Sequence, residues 1–258
     1  MAVRADETSE DAVLGGRLLL RQPRRGHRVG HDAILLAAAS RARAGEHAVD
    51  LGAGVGAAGL ALAHRIEGLA VSLVEINADL TALAGENAAR NGLSSRVRAV
   101  CLDVAAPAAA FAAAGLAPGT AALVLMNPPF NATPQRASPD PDRRLAHAAG
   151  EHTLRQWLRA AARLLRPAGA VTLIWRADGL EAVLAALATG FGAVTVLPVH
   201  PKPDAPAIRV LARAVKGSRG PIVLLPGIVL ADADGKPTPL AEAVLREGAP
   251  LPLCDDRD

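Results

Sequence analysis

From residue 46 onward, short apolar runs alternate with segments whose apolar positions recur every three to four residues. Ala48 to Leu51, Ala70 to Glu75, Val97 to Leu102, Ala121 to Met126 and Val171 to Trp175 are mostly apolar, as strands buried on both faces must be. Ala193 to Val196, Ile208 to Val215 and Ile222 to Leu225 predict later strands, with the Pro-rich stretch from Pro198 to Pro206 as a connection. Between the strands, Leu80, Leu83, Ala84, Asn87 and Ala88 fall on one helical face, as do Leu154, Trp157, Leu158, Ala161, Leu164 and Leu165. Both faces are expected to pack on the sheet, which makes the Trp157 stripe core. Thr153 is placed to cap the second helix, which is expected to end near Gly169, and Asp178 with Glu181 forms a capping box for a helix through Ala188. Strands alternating with helices predict an α/β protein, a parallel sheet covered by helices on both faces.

The first strand runs straight into Asp50-Leu51-Gly52-Ala53-Gly54-Val55-Gly56, and a helical pattern follows from Ala57. Glycines permit positive φ and close backbone approach, and a helix start offers free N–H groups, so the loop suits a nucleotide-like cofactor. Gly54-Val55-Gly56-Ala57-Ala58-Gly59 also fits the pattern G-x-G-x-x-G, so the loop by itself admits NAD as well as S-adenosylmethionine. Glu75 ends the second strand, where its carboxylate can accept hydrogen bonds from both ribose hydroxyls. Asp103 ends the third, where it can accept one from an adenine amino group. Ligands of open α/β sheets bind outside the carboxyl ends of the strands, so Asp50, Glu75 and Asp103 are expected to converge there. A helix cap or a turn is the plain alternative for each.

The fourth strand ends in Leu125-Met126-Asn127-Pro128-Pro129-Phe130. Two consecutive prolines stiffen the turn and remove two backbone donors. An exocyclic amine or a side-chain amide is a poor nucleophile because its lone pair is delocalised, so a site must orient it. The Asn127 side-chain oxygen and the Pro128 carbonyl can each take an amine hydrogen, turning the lone pair toward a methyl group in line with a sulfonium leaving group. Phe130 is placed to stack on a planar substrate.

With these residues in view the chain resembles the class I S-adenosylmethionine-dependent methyltransferases, and within them the amino-methylating group that carries Asn-Pro-Pro-Phe/Tyr. Over residues 26–215, Asp50 to Gly56 match the first family motif, Glu75 the second, Asp103 the third and Asn127 to Phe130 the fourth. The segment Arg28-Val29-Gly30-His31-Asp32-Ala33-Ile34-Leu35-Leu36 is similar to the N-terminal motif of bacterial tRNA1(Val) adenine-N6 methyltransferases, where Thr commonly replaces His31. The resemblance implies a Rossmann-like fold, a mostly parallel seven-stranded sheet with an antiparallel late strand. It implies S-adenosylmethionine as cofactor, held by Asp50, Gly52, Gly54, Gly56, Glu75, Ile76, Asp103, Val104 and Asn127. Val29, Gly30, His31 and Asp32 would line its methionine end, although Asp32 equally suits the N-cap of a helix from Ile34 to Ala39. Asn127, Pro128, Pro129 and Phe130 would surround the reacting amine, and Ala132 to Arg136 would border an adenine of tRNA. A protein glutamine amide or guanine N2 would suit the same turn. An NAD-dependent oxidoreductase and a silent RNA-binding protein are the alternatives from other classes.

Composition narrows the picture further. With 51% hydrophobic and 21% charged residues the chain is a folded protein, not a disordered one. We divide it into a flexible acidic N-terminus (1–16), a basic segment packing on the core (17–43), the methyltransferase domain (44–216) and a C-terminal extension (217–258). The net charge is +3 and the pI near 9.4. Between residues 17 and 43, Arg17, Arg21, Arg24, Arg25, Arg28, Arg41 and Arg43 face Asp32 alone, which makes this segment a candidate RNA contact or a solvated face. Lys202, Arg209, Arg213, Lys216 and Arg219 form a second basic stretch. Cys101 and Cys254 lie far apart without metal-type spacing, the histidines show no ligand spacing, and no apolar leader is visible; a cytoplasmic protein without metal is expected. The uncharged stretch 104–135 is broken by Pro107, Gly115, Pro118, Gly119 and Asn127, so no membrane span is expected.

Overall fold

The computed structural model describes residues 7–25, 28–129 and 141–254, with the backbone alone for 141–150 and Cys254. The chain opens with an antiparallel hairpin of β1 (Thr8–Val13) and β2 (Leu18–Pro23). Then follow α1 (His31–Ala39), β3 (His47–Leu51), α2 (Ala57–Arg65), β4 (Ala70–Glu75), α3 (Ala78–Arg90), β5 (Val97–Cys101), α4 (Ala108–Ala113) and β6 (Ala121–Met126). The second half comprises α5 (Pro141–Leu164), β7 (Leu165–Arg176), α6 (Leu180–Leu187), β8 (Phe191–His200), β9 (Arg209–Lys216), β10 (Val223–Leu224), β11 (Ile228–Val229) and α7 (Pro239–Glu247).

The main sheet has the order β10-β8-β9-β7-β6-β3-β4-β5, with β11 also paired to β8. Every pairing is parallel except those of β9 with β7 and β8. The seven expected strands and the antiparallel late one are therefore present, and two short edge strands bring the total among the described residues to nine. Alternate strand residues feed two cores, one on each face. Val71, Leu73, Leu123 and Leu125 pack under α1, α2 and α3, whereas Val49, Val74, Val124 and Met126 pack under α5 and α6.

Five local expectations change. Residues 8–13 form β1 and pair with β2, whose Leu18 and Leu20 are fully buried. The helix expected from Leu154 is the second half of α5, so Thr153 lies in its interior and caps nothing at its start. It ends at Leu164 because Leu165 already pairs with Ala121 of β6. Asp178 does not cap α6; Gly179 is the N-cap residue, and the Asp178 carboxylate instead takes two 2.8 Å hydrogen bonds from Arg176. Pro198, expected in a connection, lies within β8 opposite Val210 of β9.

Hairpin and extension brace the α1–α3 face. Asn87 of α3 and Asn91 just past its last turn bond to both the N–H and the C=O of Arg21 and Leu19, so two asparagine side chains replace a neighbouring strand for β2. This alignment runs β2 upward past α3, toward the end of the sheet where the strands β3 to β6 finish. α7, capped by Thr238 and closed by Gly248, packs on α1 and on the turn after β1, and Leu251 N–H then bonds to Ala38 O.

Candidate active site

Leu51 of β3 is the register partner of both Val74 of β4 and Met126 of β6. Gly52 and Asn127 consequently leave adjacent strands side by side, at the point where the sheet order reverses direction and where open α/β sheets hold their ligands. Asn127 is half-buried, Pro128 buried and Pro129 exposed. Phe130 and residues 132–136 lie outside the described residues.

Backbone hydrogen bonds fix the glycine loop. Gly52 N–H and Ala53 N–H both donate to Val74 O, at 2.8 and 2.9 Å. Gly54 N–H donates to Glu75 Oε2 at 2.9 Å, and Asn77 N–H donates to Oε1 at 2.9 Å. Gly52, Gly54 and Gly56 all have positive φ, and a Cβ on Gly54 would meet nothing within 4 Å, so that stretch of backbone is open to a ligand. Glu75 uses two acceptor sites on these N–H groups, and a carboxylate retains others for hydroxyl groups.

Beyond Glu75, Ile76 is 63% exposed, a large apolar side chain left open at a strand end. Asp103 is exposed too, with Oδ1 accepting Ala105 N–H at 2.8 Å, while Val104 is buried beside it. This places an exposed apolar side chain beside two carboxylates, a surface that offers an apolar contact for a planar base and acceptors for amino and hydroxyl hydrogens. Asp50 does not join them. It is buried beneath the loop, its Oδ2 accepting Gly59 N–H of α2 at 2.8 Å, and burial pushes its carboxyl up to about 7, with the nearby Glu75 charge acting in the same sense.

The segment 28–32 arrives from the hairpin. Arg28 pairs with Asp11 at 2.7 Å, and the buried Gln22 accepts Val29 N–H at 2.8 Å. α1 begins at His31 with Gly30 as its N-cap residue, so Asp32 is not the cap; it lies in the first turn and pairs with Arg209 of β9 at 2.9 Å. Arg209 is the register partner of Arg176, the last residue of β7, so this pair stands at the same end of the sheet as Asn127. His31 is exposed there.

Sequence reading missed three braces. Asn87 is fully buried and donates from Nδ2 to Val55 O at 3.0 Å as well as to β2, tying the hairpin to the glycine loop. An amide on an otherwise apolar helix face was the signal. Gln22 and Arg209 carried none, because each acts through a partner outside its own element. The basic cluster is divided in space. Arg17, Arg21 and Arg28 bond to Glu247 O, to Thr8 with Glu86, and to Asp11, whereas Arg43 precedes β3 at the opposite end of the sheet from Asn127. Arg24 and Arg25, which directly follow β2, are exposed. Among the described residues no group of three or more His, Cys, Asp or Glu is placed to hold a metal ion, and no helix is long and apolar enough to cross a membrane.

Residues 28–202 match the family model described as methyltransferase small domain. The chain is 32% identical over 172 residues to a protein of Tolumonas auensis (strain DSM 9187 / NBRC 110442 / TA 4) named tRNA1(Val) (adenine(37)-N6)-methyltransferase, covering 66% of this chain and 68% of that one. A solved structure from Agrobacterium tumefaciens, described as a predicted O-methyltransferase, is 28% identical with a TM-score of 0.72, over 85% of this chain and 98% of that one. Geranyl diphosphate C-methyltransferase from Streptomyces coelicolor A3(2), solved with S-adenosyl-L-homocysteine, shares the fold at 13% identity, TM-score 0.52, over 72% and 78% of the two chains. With the reversal point of the sheet, the glycine loop and the Asn-Pro-Pro turn together at one end, the chain belongs to the methyltransferase small domain family and is an S-adenosylmethionine-dependent methyltransferase.

Proposed function

We propose that the chain methylates the N6 amino group of an adenine in tRNA. The observation that carries this reading is the turn Asn127-Pro128-Pro129 standing beside Gly52 at the reversal point of the sheet. Its two oxygens, Asn127 Oδ1 and Pro128 O, match a group with two hydrogens to give; a hydroxyl has one, so the turn favours an amine over an alcohol. Bound S-adenosylmethionine supplies an electrophilic methyl group on a positively charged sulfur. Asn127 and Pro128 hold the amine hydrogens so that the nitrogen lone pair faces that methyl. As the N–C bond forms, the S–C bond breaks with its electron pair left on sulfur, and one amine proton passes to solvent.

Glu75 and Asp103, with Ile76 between them, hold the adenosine part of the cofactor, and the 28–32 segment lines its methionine end. Arg24 and Arg25 contact substrate phosphates. The name of the Tolumonas relative supports tRNA as the substrate, and a cytoplasmic location follows from that substrate. The test is transfer of labelled methyl groups to unmodified tRNA and to cell protein, followed by nucleoside and amino-acid analysis. N6-methyladenosine is expected; label in N2-methylguanosine or in methylated glutamine would replace the substrate. Asn127→Ala should lower kcat by at least ~100-fold with cofactor affinity largely intact, and near wild-type turnover would remove Asn127 from the mechanism.

A further inference from the structure

Trp157, core by its helical spacing, stands against the first residue of the glycine loop. Gly52 has φ +69°, and a Cβ there would lie 2.8 Å from Trp157 Cζ3 and 3.3 Å from Cζ2, and nearer still to Cη2. The benzo edge of the indole thus occupies the space that any other residue type at position 52 would need. Trp157 is half-buried, and it packs on the core cluster that contains Leu51, Val104 and Phe111. Its helix, α5, is the element that follows the Asn127 turn, and Gly52 is the strand-end neighbour of Asn127. From the other side the same stretch is held by the two bonds from Gly52 N–H and Ala53 N–H to Val74 O.

We propose that Trp157 is a positioning residue for the cofactor, its ring clamping Gly52 against β4 and so holding the glycine loop in the conformation that binds it; this rests on the reading of that loop as the cofactor site. A residue without a Cβ is free to leave the left-handed region, and a rigid aromatic edge standing where its Cβ would be removes that freedom. The six-membered ring of the indole makes the contact, so phenylalanine, which fills the core position but is shorter, withdraws the clamp while leaving the stem packed.

Calorimetric titration of S-adenosylhomocysteine into the wild-type protein and three variants tests this. Trp157→Phe should weaken binding about tenfold while kcat at saturating cofactor stays within about twofold. Gly52→Ala should weaken it further, and the double variant Gly52→Ala/Trp157→Ala should recover part of the loss because the steric clash is gone. In a Trp175→Phe background, the emission of Trp157 should change when the ligand binds. Wild-type affinity in Trp157→Phe, a double variant no tighter than Gly52→Ala, or unchanged emission would each overturn the clamp. A wild-type protein that binds no S-adenosylhomocysteine would instead overturn the cofactor-site reading, and the clamp with it.

Discussion

Asp50 offers a test of the fold beneath the glycine loop. Its carboxyl is buried against Gly59 N–H and is pushed from 3.8 to about 7. Unfolded, it ionises near its ordinary value, about 3.9. Between those two values the native state binds more protons than the unfolded chain, so this group makes stability fall as pH rises. A shift of about three units at ~1.4 kcal/mol each gives a full cost on the order of 4 kcal/mol, present above about pH 7 and absent below about pH 4. From about pH 5 to about pH 8 the change is ~2.5 kcal/mol. Asp50→Asn keeps an oxygen for Gly59 N–H and cannot ionise. Its stability relative to wild type should therefore rise by ~2.5 kcal/mol across that range, or roughly 5–10 °C in thermal midpoint. Taking the difference between the two proteins cancels His47. Burial and the Arg98 charge lower its pKa, so its contribution runs oppositely and is lost as pH falls below 6.5. Unfolding curves of both proteins at several pH values supply the measurement. A difference that stays flat, or shrinks toward high pH, would mean that Asp50 is ionised in the native protein and the burial argument is wrong.

Two glycines inside helices should respond to alanine with opposite signs. At Gly85 a Cβ would find Ala99 at 3.9 Å, an ordinary contact, so Gly85→Ala should stabilise by ~0.5–1 kcal/mol through helix propensity. At Gly59 it would overlap Leu73 and lie 3.1 Å from Asp50 Oδ2, so Gly59→Ala should destabilise by ~1–3 kcal/mol in urea unfolding; equal responses would show that β4 yields there. Asn87→Ala removes three side-chain hydrogen bonds, one buried and two part-buried, that join β2 to the glycine loop, and should cost roughly 3 kcal/mol with a parallel loss of cofactor affinity. A loss below ~1 kcal/mol would mean that the freed backbone groups of Arg21 and Val55 find other partners.

Much of the candidate site was legible because its parts are local. Gly52 to Gly56, Glu75, Asp103 and Asn127 each follow an apolar run directly, so a reading of strand ends is enough to bring them to one edge. The exposed Ile76 follows in the same way. Asp50 departs from that expectation for a reason of packing: it precedes the loop by two residues, and its side chain turns beneath α2, where only Gly59 leaves room for it. Asp32 departs from the expected cap because its partner, Arg209, lies 177 residues away.

Periodicity, glycine placement and proline chemistry depend on backbone sterics within a few residues, so they determine by themselves the α/β order, the glycine loop and the stiff Asn-Pro-Pro turn. Tertiary structure alone decided which side chains serve that edge from a distance. The ring of Trp157 on Gly52, the amide of Asn87 between β2 and Val55, the pairing of acidic β1 with basic β2, and the Asp32–Arg209 bridge all depend on strand register and helix position. Those are set by burying two apolar faces at once, a condition on the whole chain that no short window of it contains.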